Sequence, residues 1–398
     1  MDDTRASSLR RLPTSGQIRP ATPDRIGIEP RAIDRVAVYF SRLGAPMYTH
    51  EKVTLAIVAE NIAFVNGWRY AGVYDPAERS VGCFFVPDDT IMLDEAQDLG
   101  IDSPQQLYGA VAPYPFVKTK AITHGLVSAH AARPYGWSSA FAKGVRNAVL
   151  PGYTVFSPDD AKMAAMQLLP LGSIRVKEPL GDGGYGQTVV AGIAQLDAFL
   201  EKLSLEKIGC HGLVLETNLR RATTRSVGQT MIGDRMIAYH GIQRVVTNNR
   251  GLSVYGGSHL ICVRGGWTEL EELPMDAEAR LAVSQARTYD RNAHRYPGFL
   301  ASRRNYDIGQ GLDGHGRWRS GVLETSWRSG GASTAELAAL MAFAQDSTLQ
   351  VIEATSAKQF GRRITIPPGA VIHFHDDDPE DGPLLRYTVV TRALRRVA

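Results

Sequence analysis

The order of apolar and polar positions divides the chain into four stretches. Residues 1–32 have no sustained periodicity and read as a disordered arm. From 33 to 112 a small α/β pattern follows. "EKVTLAIVAENIAFVNG" has helical spacing, and "RYAGVYD" and "VGCFFVP" are short β-branched and aromatic runs that predict strands. "RAIDRVAVYFSRLG" reads as helix-like, although "VAVYF" could instead be a strand. After a mostly helical stretch, "SPDDAKMAAMQLL" predicts a helix with Ser157 as its N-cap and Pro158 in its first turn. Residues 173–264 are strand-rich, interrupted by one helix near 194–203. A long helix is expected from Asp276 to His294, then two strands around "LDGHG". Ser333 and Glu336 have capping-box spacing at the start of another helix, and a strand-like tail covers 359–398.

Composition narrows the class of protein. The 398 residues carry a formal net charge of +3, too little to argue for a nucleic-acid partner. Cys83, Cys210 and Cys262 are far apart, which argues against a disulfide framework and suits a reducing cytoplasm. No apolar run is long enough for a transmembrane helix, and the N-terminus lacks the apolar stretch of a secretory signal. The expected setting is therefore cytoplasmic, with no membrane and no nucleic acid.

The candidate chemistry begins at "VKEPLGDGGYGQTVV" (176–190). Gly181, Gly183 and Gly186 fit the dinucleotide fingerprint, and Gly181 to Thr188 nearly fit a phosphate-binding P-loop. Both motifs open a helix whose amides hold phosphate. Here the β-branched "QTVV" predicts a strand instead, and Gln187 stands where a P-loop has lysine. A hairpin loop remains. Its glycines, Gly184 included, would let backbone amides approach a polyphosphate. The plain alternative is a glycine-rich turn.

A strand ending in Lys177 followed by such a hairpin resembles the nucleotide clamp of the ATP-grasp superfamily. The resemblance extends over roughly 40–350 and implies an ATP-grasp fold, α+β or α/β, with an N-terminal α/β domain at 33–112 and a two-lobed clamp at 113–358. It implies a first lysine at Lys120, with Lys118 as the alternate, and a second at Lys177. "GLVLETNL" matches the hinge beside adenine, with Glu216 and Leu219; no acid stands where a ribose contact would be expected. "GVLETSWRSGG" resembles the family's Glu-x-Asn-x-Arg, giving Glu324, Ser326 in place of Asn, and Arg328. The resemblance further implies a Mg²⁺ site in which Asp307 on the preceding strand joins Glu324 and Ser326, with Arg328 facing the reacting centre.

What the resemblance implies is ATP and Mg²⁺ as cofactors, and a ligase that activates a carboxylate as an acyl phosphate for attack by an amine. A phosphotransferase and a non-catalytic nucleotide-binding protein are the alternatives. The partners are small-molecule acid and amine substrates, and a homodimer is compatible. Arg220, Arg221, Arg225, Arg303 and Arg304 point to an anionic second substrate if they face the cleft; otherwise they are surface arginines. The tract "HFHDDD" (373–378) could hold a metal or be a solvated loop.

Overall fold

The run "VAVYF" is a strand. In the computed structural model, which describes residues 32–42, 44, 47–78, 80–181 and 186–395, β1 (Arg35–Tyr39) lies parallel between β2 (Arg69–Val73) and β3 (Cys83–Pro87). A parallel strand covered on both faces buries nearly every position, so its apolar run does not alternate. Helix α1 (Thr49–Asn66) covers one face, packing Leu55, Val58 and Ile62 against Val36, Val38 and Phe84. The other face holds Ala37 and Phe85 against Ile91, Leu107 and Val111. Two short strands, β4 (Ile91–Met92) and β5 (Ala110–Ala112), join a later one, β13 (Leu300–Ala301), and α2 (Leu93–Asp98) follows β4. The expected arm before residue 32 lies outside the described residues, as do Gly183 and Gly184.

The next unit is an antiparallel sheet in the order β6 (Gly152–Val155), β9 (Leu213–Thr217), β7 (Ile174–Lys177), β8 (Gln187–Val190). Helix α3 (Ser139–Val145) precedes it. Helices α4 (Pro158–Leu168), α5 (Ile193–Leu200) and α6 (Leu205–His211) contribute to a core with Ile174, Val176 and Leu215. Ser157 caps α4 as expected, its hydroxyl accepting from the Asp160 amide. With Ile174 and Val176 turned into the core, the period of two turns Arg175 and Lys177 to the opposite face.

That face meets the largest sheet, ordered β15 (Trp318–Ser326), β14 (Arg303–Leu312), β10 (Arg220–Ile232), β11 (Arg235–Thr247), β12 (Ser253–Arg264), β16 (Leu349–Phe360), β18 (Gly382–Arg395), β17 (Val371–Asp378). The two sheets touch where the Lys177 ammonium donates to the Leu323 carbonyl at 3.3 Å, and Val149, in the segment before β6, bridges to Val322. Helices α7 (Trp267–Glu271) and α8 (Ala277–Ala293) cover one face of the large sheet; α9 (Ser333–Gln345) and α1 cover the other. Asp276 caps α8 as its position suggests, accepting from Ala279 at 2.6 Å.

The start of α9 corrects an expectation. Ala332 occupies the N-cap, and Ser333 and Glu336 form no capping box. Ser333 instead accepts from the Gly330 amide at 3.0 Å, and Glu336 is wholly buried beneath the sheet. The residues after 360 are strands of the same sheet, with β18 paired to both β16 and β17.

Candidate active site

The glycine loop joins β7 to β8 as an antiparallel hairpin in which Lys177 and Gln187 are opposite partners. The segment after the loop is a strand, as "QTVV" indicated. Gly186 has φ 68°, a conformation that favours glycine, and a Cβ there would approach the Gly181 Cα to 3.2 Å.

Lys177 is one end of a buried chain of polar groups centred on Glu216. Its Nζ lies 2.5 Å from Glu216 Oε1, and Glu216 Oε2 lies 3.2 Å from His124 Nε2; all three side chains are at most 2% exposed. Burial alone pushes the Glu216 carboxyl up, but Lys177 and His124 outweigh it and hold the group below its ordinary value. Gly152 makes room for the imidazole. A Cβ there would sit 2.8 Å from both the His124 ring and the Leu215 carbonyl. Among the scattered histidines of the sequence, nothing marks His124, because its partner is 92 residues away. Leu219, half-buried, follows β9 just beyond this acid.

Lys120 opens a single 3₁₀ turn (Lys120–Thr123), anchored by the Thr119 hydroxyl accepting from the Ala121 amide. Its ammonium lies 2.8 Å from Glu324 Oε2 and donates to the Gly181 carbonyl at 2.6 Å. It thus ties the first residue of the glycine loop to the large sheet. The alternate, Lys118, is turned toward Asp89 of the N-terminal unit, 2.6 Å away.

Asp307 and Glu324 are opposite partners on β14 and β15, with an irregularity in register after Asp307. The Asn305 amide donates to Asp307 at 2.8 Å. Ser326 is the cross-strand partner of Asn305, and its carbonyl and hydroxyl accept from Arg303 Nη1 at 2.9 and 3.3 Å. Arg303 also donates to the Arg328 carbonyl. Behind it, Arg303 makes a two-pronged pair with Glu336, at 2.6 and 3.1 Å, and the hydroxyls of Tyr108, Thr230 and Tyr239 donate to the same carboxylate. This network fixes the backbone on which Ser326 and Arg328 sit. The Arg328 guanidinium donates to the Ser329 carbonyl at 2.8 Å. It is also near enough to oppose the upward shift that burial gives Asp88 at the end of β3.

Four of the five arginines expected along an anionic substrate are committed elsewhere. Arg303 is paired with Glu336, Arg304 with Asp290 at 2.8 Å, and Arg225 lies 3.4 Å from both Asp276 and Glu278. Arg220 reaches the Asp313 carbonyl at 3.2 Å, and Arg221 is exposed. In the acidic tract, Asp378 accepts backbone amides from His50, Glu380 and Asp381, and His373 bonds to Thr388. Among the described residues no group of three His, Cys, Asp or Glu gathers at metal-binding distance.

The residues present fit both implied groups. Mg²⁺ takes oxygen ligands, keeps several waters and needs only one or two carboxylates beside phosphate; Asp307 and Glu324 stand side by side, and one already holds a cation, Lys120. Two lysines from separate segments, one in a 3₁₀ turn and one at the end of β7, suit a polyphosphate beside a glycine hairpin.

A family model described as "Protein of unknown function (DUF3182)" matches residues 39–388. No curated protein matches the chain. Among solved structures it is similar to D-alanyl-alanine synthetase A from Vibrio cholerae, at 11% identity over 78% of this chain and 97% of that one, with a TM-score of 0.48. It is similar to carboxyaminoimidazole ribonucleotide synthase from Aspergillus clavatus complexed with ATP, at 12% identity over 90% and 94%, with a TM-score of 0.49. It is also similar to biotin carboxylase from Campylobacter jejuni, at 10% identity over 89% and 87%, with a TM-score of 0.46.

Proposed function

The chain belongs to the DUF3182 family, and from the geometry of its site we propose that it is an ATP- and Mg²⁺-dependent ligase joining a carboxylate to an amine or similar nucleophile. One observation carries the reading. Two buried lysines from separate segments converge on the seam between the sheets, each against a carboxylate, beside the adjoining acids Asp307 and Glu324.

ATP would lie along that seam, with adenine against Glu216 and Leu219 and the phosphates under the glycine hairpin. Lys120 and Lys177 would offset the phosphate charge, which in this dry seam counts for more than in water. Asp307 and Glu324 would hold Mg²⁺, which supplies neutralisation of the phosphate oxygens. Ser326 already accepts from Arg303, so the metal is assigned to the two carboxylates, with Ser326 beside them. A substrate carboxylate oxygen would attack the γ-phosphorus; the bond to the bridging oxygen breaks and ADP leaves. The amine nitrogen would then attack the acyl carbon, phosphate leaves, and the nitrogen gives up a proton. Arg328 would face the charge that develops in both steps. No protein nucleophile takes part, so catalysis is mainly positioning and charge stabilisation.

The test is isothermal titration with a non-hydrolysable ATP analogue, with and without Mg²⁺, on wild type and Glu324→Ala. Mg²⁺-dependent binding that the substitution abolishes is expected. Absence of binding to the wild type in every condition would sink the ligase reading.

A further inference from the structure

The face that the four-stranded sheet turns to the seam can be followed row by row from its register, because direct cross-strand partners share a face. The row at the glycine-loop end runs Thr154, Val214, Lys177, Gln187. The next row, two residues back toward the hinge, runs Gly152, Glu216, Arg175, Val189. At about 3.4 Å per residue the rows are about 7 Å apart. A nucleotide with its phosphates at Lys177 and the loop therefore brings its base over the second row.

Half of that row is already filled. The His124 ring takes the space beside Gly152, and the two oxygens of Glu216 face Lys177 and His124. Arg175, half-buried, and Val189, 44% exposed, remain toward the seam. On the large sheet Ile308 and Val322 turn into the core with α8, so Gly309 and the half-buried Leu323 side chain beside it lie on the seam side. A Cβ at Gly309 would come within 2.8 Å of Leu323 Cδ1. The Lys177 ammonium donates to the Leu323 carbonyl, so the two walls face each other close to Lys177.

The Arg175 guanidinium is held as a flat surface. Nη1 donates to Gln187 Oε1 at 3.2 Å and Nη2 to Asn218 Oδ1 at 2.8 Å. Asn218 is anchored in turn: its side-chain amide donates to the Ser173 hydroxyl at 3.2 Å and its backbone N–H to the Ser173 carbonyl at 3.1 Å. Two acceptors on two prongs of a rigid fork fix its plane. Both are neutral amides. Among the described residues no aromatic ring lies over this guanidinium; those that carry a cation are paired with Arg264, Arg303 and Lys358. A planar, weakly hydrated cation stacks on the π-face of a base, and every base has such a face.

We propose that Arg175, clamped between Gln187 and Asn218, is the platform on which the base of the bound nucleotide stacks, with Leu323 on the opposite side and Val189 at the edge. This rests on the nucleotide reading of the seam and deepens it: the base is held by its face, through a cation. Recognition by the face is indifferent to the groups on the ring edge, so Arg175 strengthens the binding of adenine and guanine nucleotides alike and does not choose between them.

The full chain, Arg175→Ala and Arg175→Lys are titrated, with Mg²⁺ present, with non-hydrolysable ATP and GTP analogues and with tripolyphosphate, which has no base. Arg175→Ala is expected to weaken whichever analogue the wild type binds about tenfold, the worth of one desolvated cation stack. Arg175→Lys keeps the charge and loses the plane, and should weaken it nearly as much. Tripolyphosphate should bind all three proteins equally, which also reports that the variants keep the site folded. A measurement without a variant accompanies these: phenylglyoxal modification of Arg175 in the wild type, mapped by mass spectrometry, slows with the analogue and not with tripolyphosphate. If a variant fails to fold, this measurement decides alone, and protection by tripolyphosphate equal to that by the analogue, or none by either, overturns the proposal. In folded variants, equal weakening of tripolyphosphate, full rescue by lysine, or unchanged analogue binding in Arg175→Ala overturns it and leaves the nucleotide reading standing. A wild type that binds neither analogue removes the nucleotide reading, and this proposal with it.

Discussion

Replacing Glu216 by Gln keeps the shape of the side chain and removes its charge. Lys177 then loses a carboxylate 2.5 Å away in a site where both partners are at most 2% exposed. Water cannot replace the lost partner there, so the cost is that of leaving a buried charge alone, about 3–5 kcal/mol. Since folding stabilities run to about 5–15 kcal/mol, this is a large fraction of the whole. Glu324→Gln is the internal comparison. Glu324 is 22% exposed, so water can reach the place of its carboxylate, and Lys120 keeps its bond to the Gly181 carbonyl; the expected cost is smaller than that of Glu216→Gln. Urea unfolding followed by circular dichroism measures both, reading the midpoint shift at unchanged slope. If Glu216→Gln shifts the midpoint no more than Glu324→Gln does, then Lys177 and Glu216 are not a buried ion pair, and the reasoning fails.

The same pair sets an acid limit. The folded Glu216 carboxyl lies below its ordinary 4.5, as does Glu336, so each contributes stability that is full above about pH 4.5 and lost as the pH falls through the folded value. Wild type and Glu216→Gln should therefore converge in stability as the pH is lowered below 4.5, as midpoint measurements across that range will show. Gly152→Ala drives a Cβ against His124 and the Leu215 carbonyl, at an expected cost of about 1–3 kcal/mol and with weaker analogue binding. Gly209→Ala, in exposed α6 with nothing within 4 Å, should instead gain about 0.5–1 kcal/mol by thermal unfolding and leave analogue binding alone.

The parts of the site that were legible in the sequence share a physical reason. Lys177 ends an alternating strand, and Asp307 and Glu324 lie on strands joined by a short turn, so local register alone brings the two acids opposite each other. The parts that were not legible depend on distant partners. His124 acquires its role only when Gly152 and Glu216 close around it. Ser333 and Glu336 have capping-box spacing, but the Arg303 guanidinium, with three hydroxyls, offers the Glu336 carboxylate more than one backbone amide could. Arg303 and Arg304, adjacent in sequence, point to opposite faces of β14, to Glu336 and to Asp290. A cluster of arginines in the sequence thus became separate buried pairs. The place of β17 and β18 in the large sheet depends on pairing with β16, which no local pattern records.

Both lysines stand against carboxylates that the proposed reaction needs for other work, and for Lys120 this has a measurable consequence. Its ammonium rests on Glu324, so Mg²⁺ approaching alone meets a cation already in place, and a nucleotide approaching alone meets a Lys120 already held by Glu324, with no metal between its phosphates and the two carboxylates. When both arrive, Lys120 can pass from Glu324 to phosphate and the metal can take Glu324. Binding is then an exchange of partners, and each ligand should strengthen the other by the same factor, since coupling between sites is reciprocal. Couplings of this kind are typically about 1–3 kcal/mol, or about five- to 150-fold. Lys120→Met separates the terms: Mg²⁺ alone should bind more tightly than in wild type, the Mg²⁺–analogue complex should bind more weakly, and the coupling should shrink. Titration of Mg²⁺ into each protein, with and without the analogue, measures all three. Lys118→Met, turned toward Asp89, should change none of them. If Lys120→Met leaves the affinity for Mg²⁺ alone untouched, then Glu324 is not where the metal binds, and the exchange has to be abandoned.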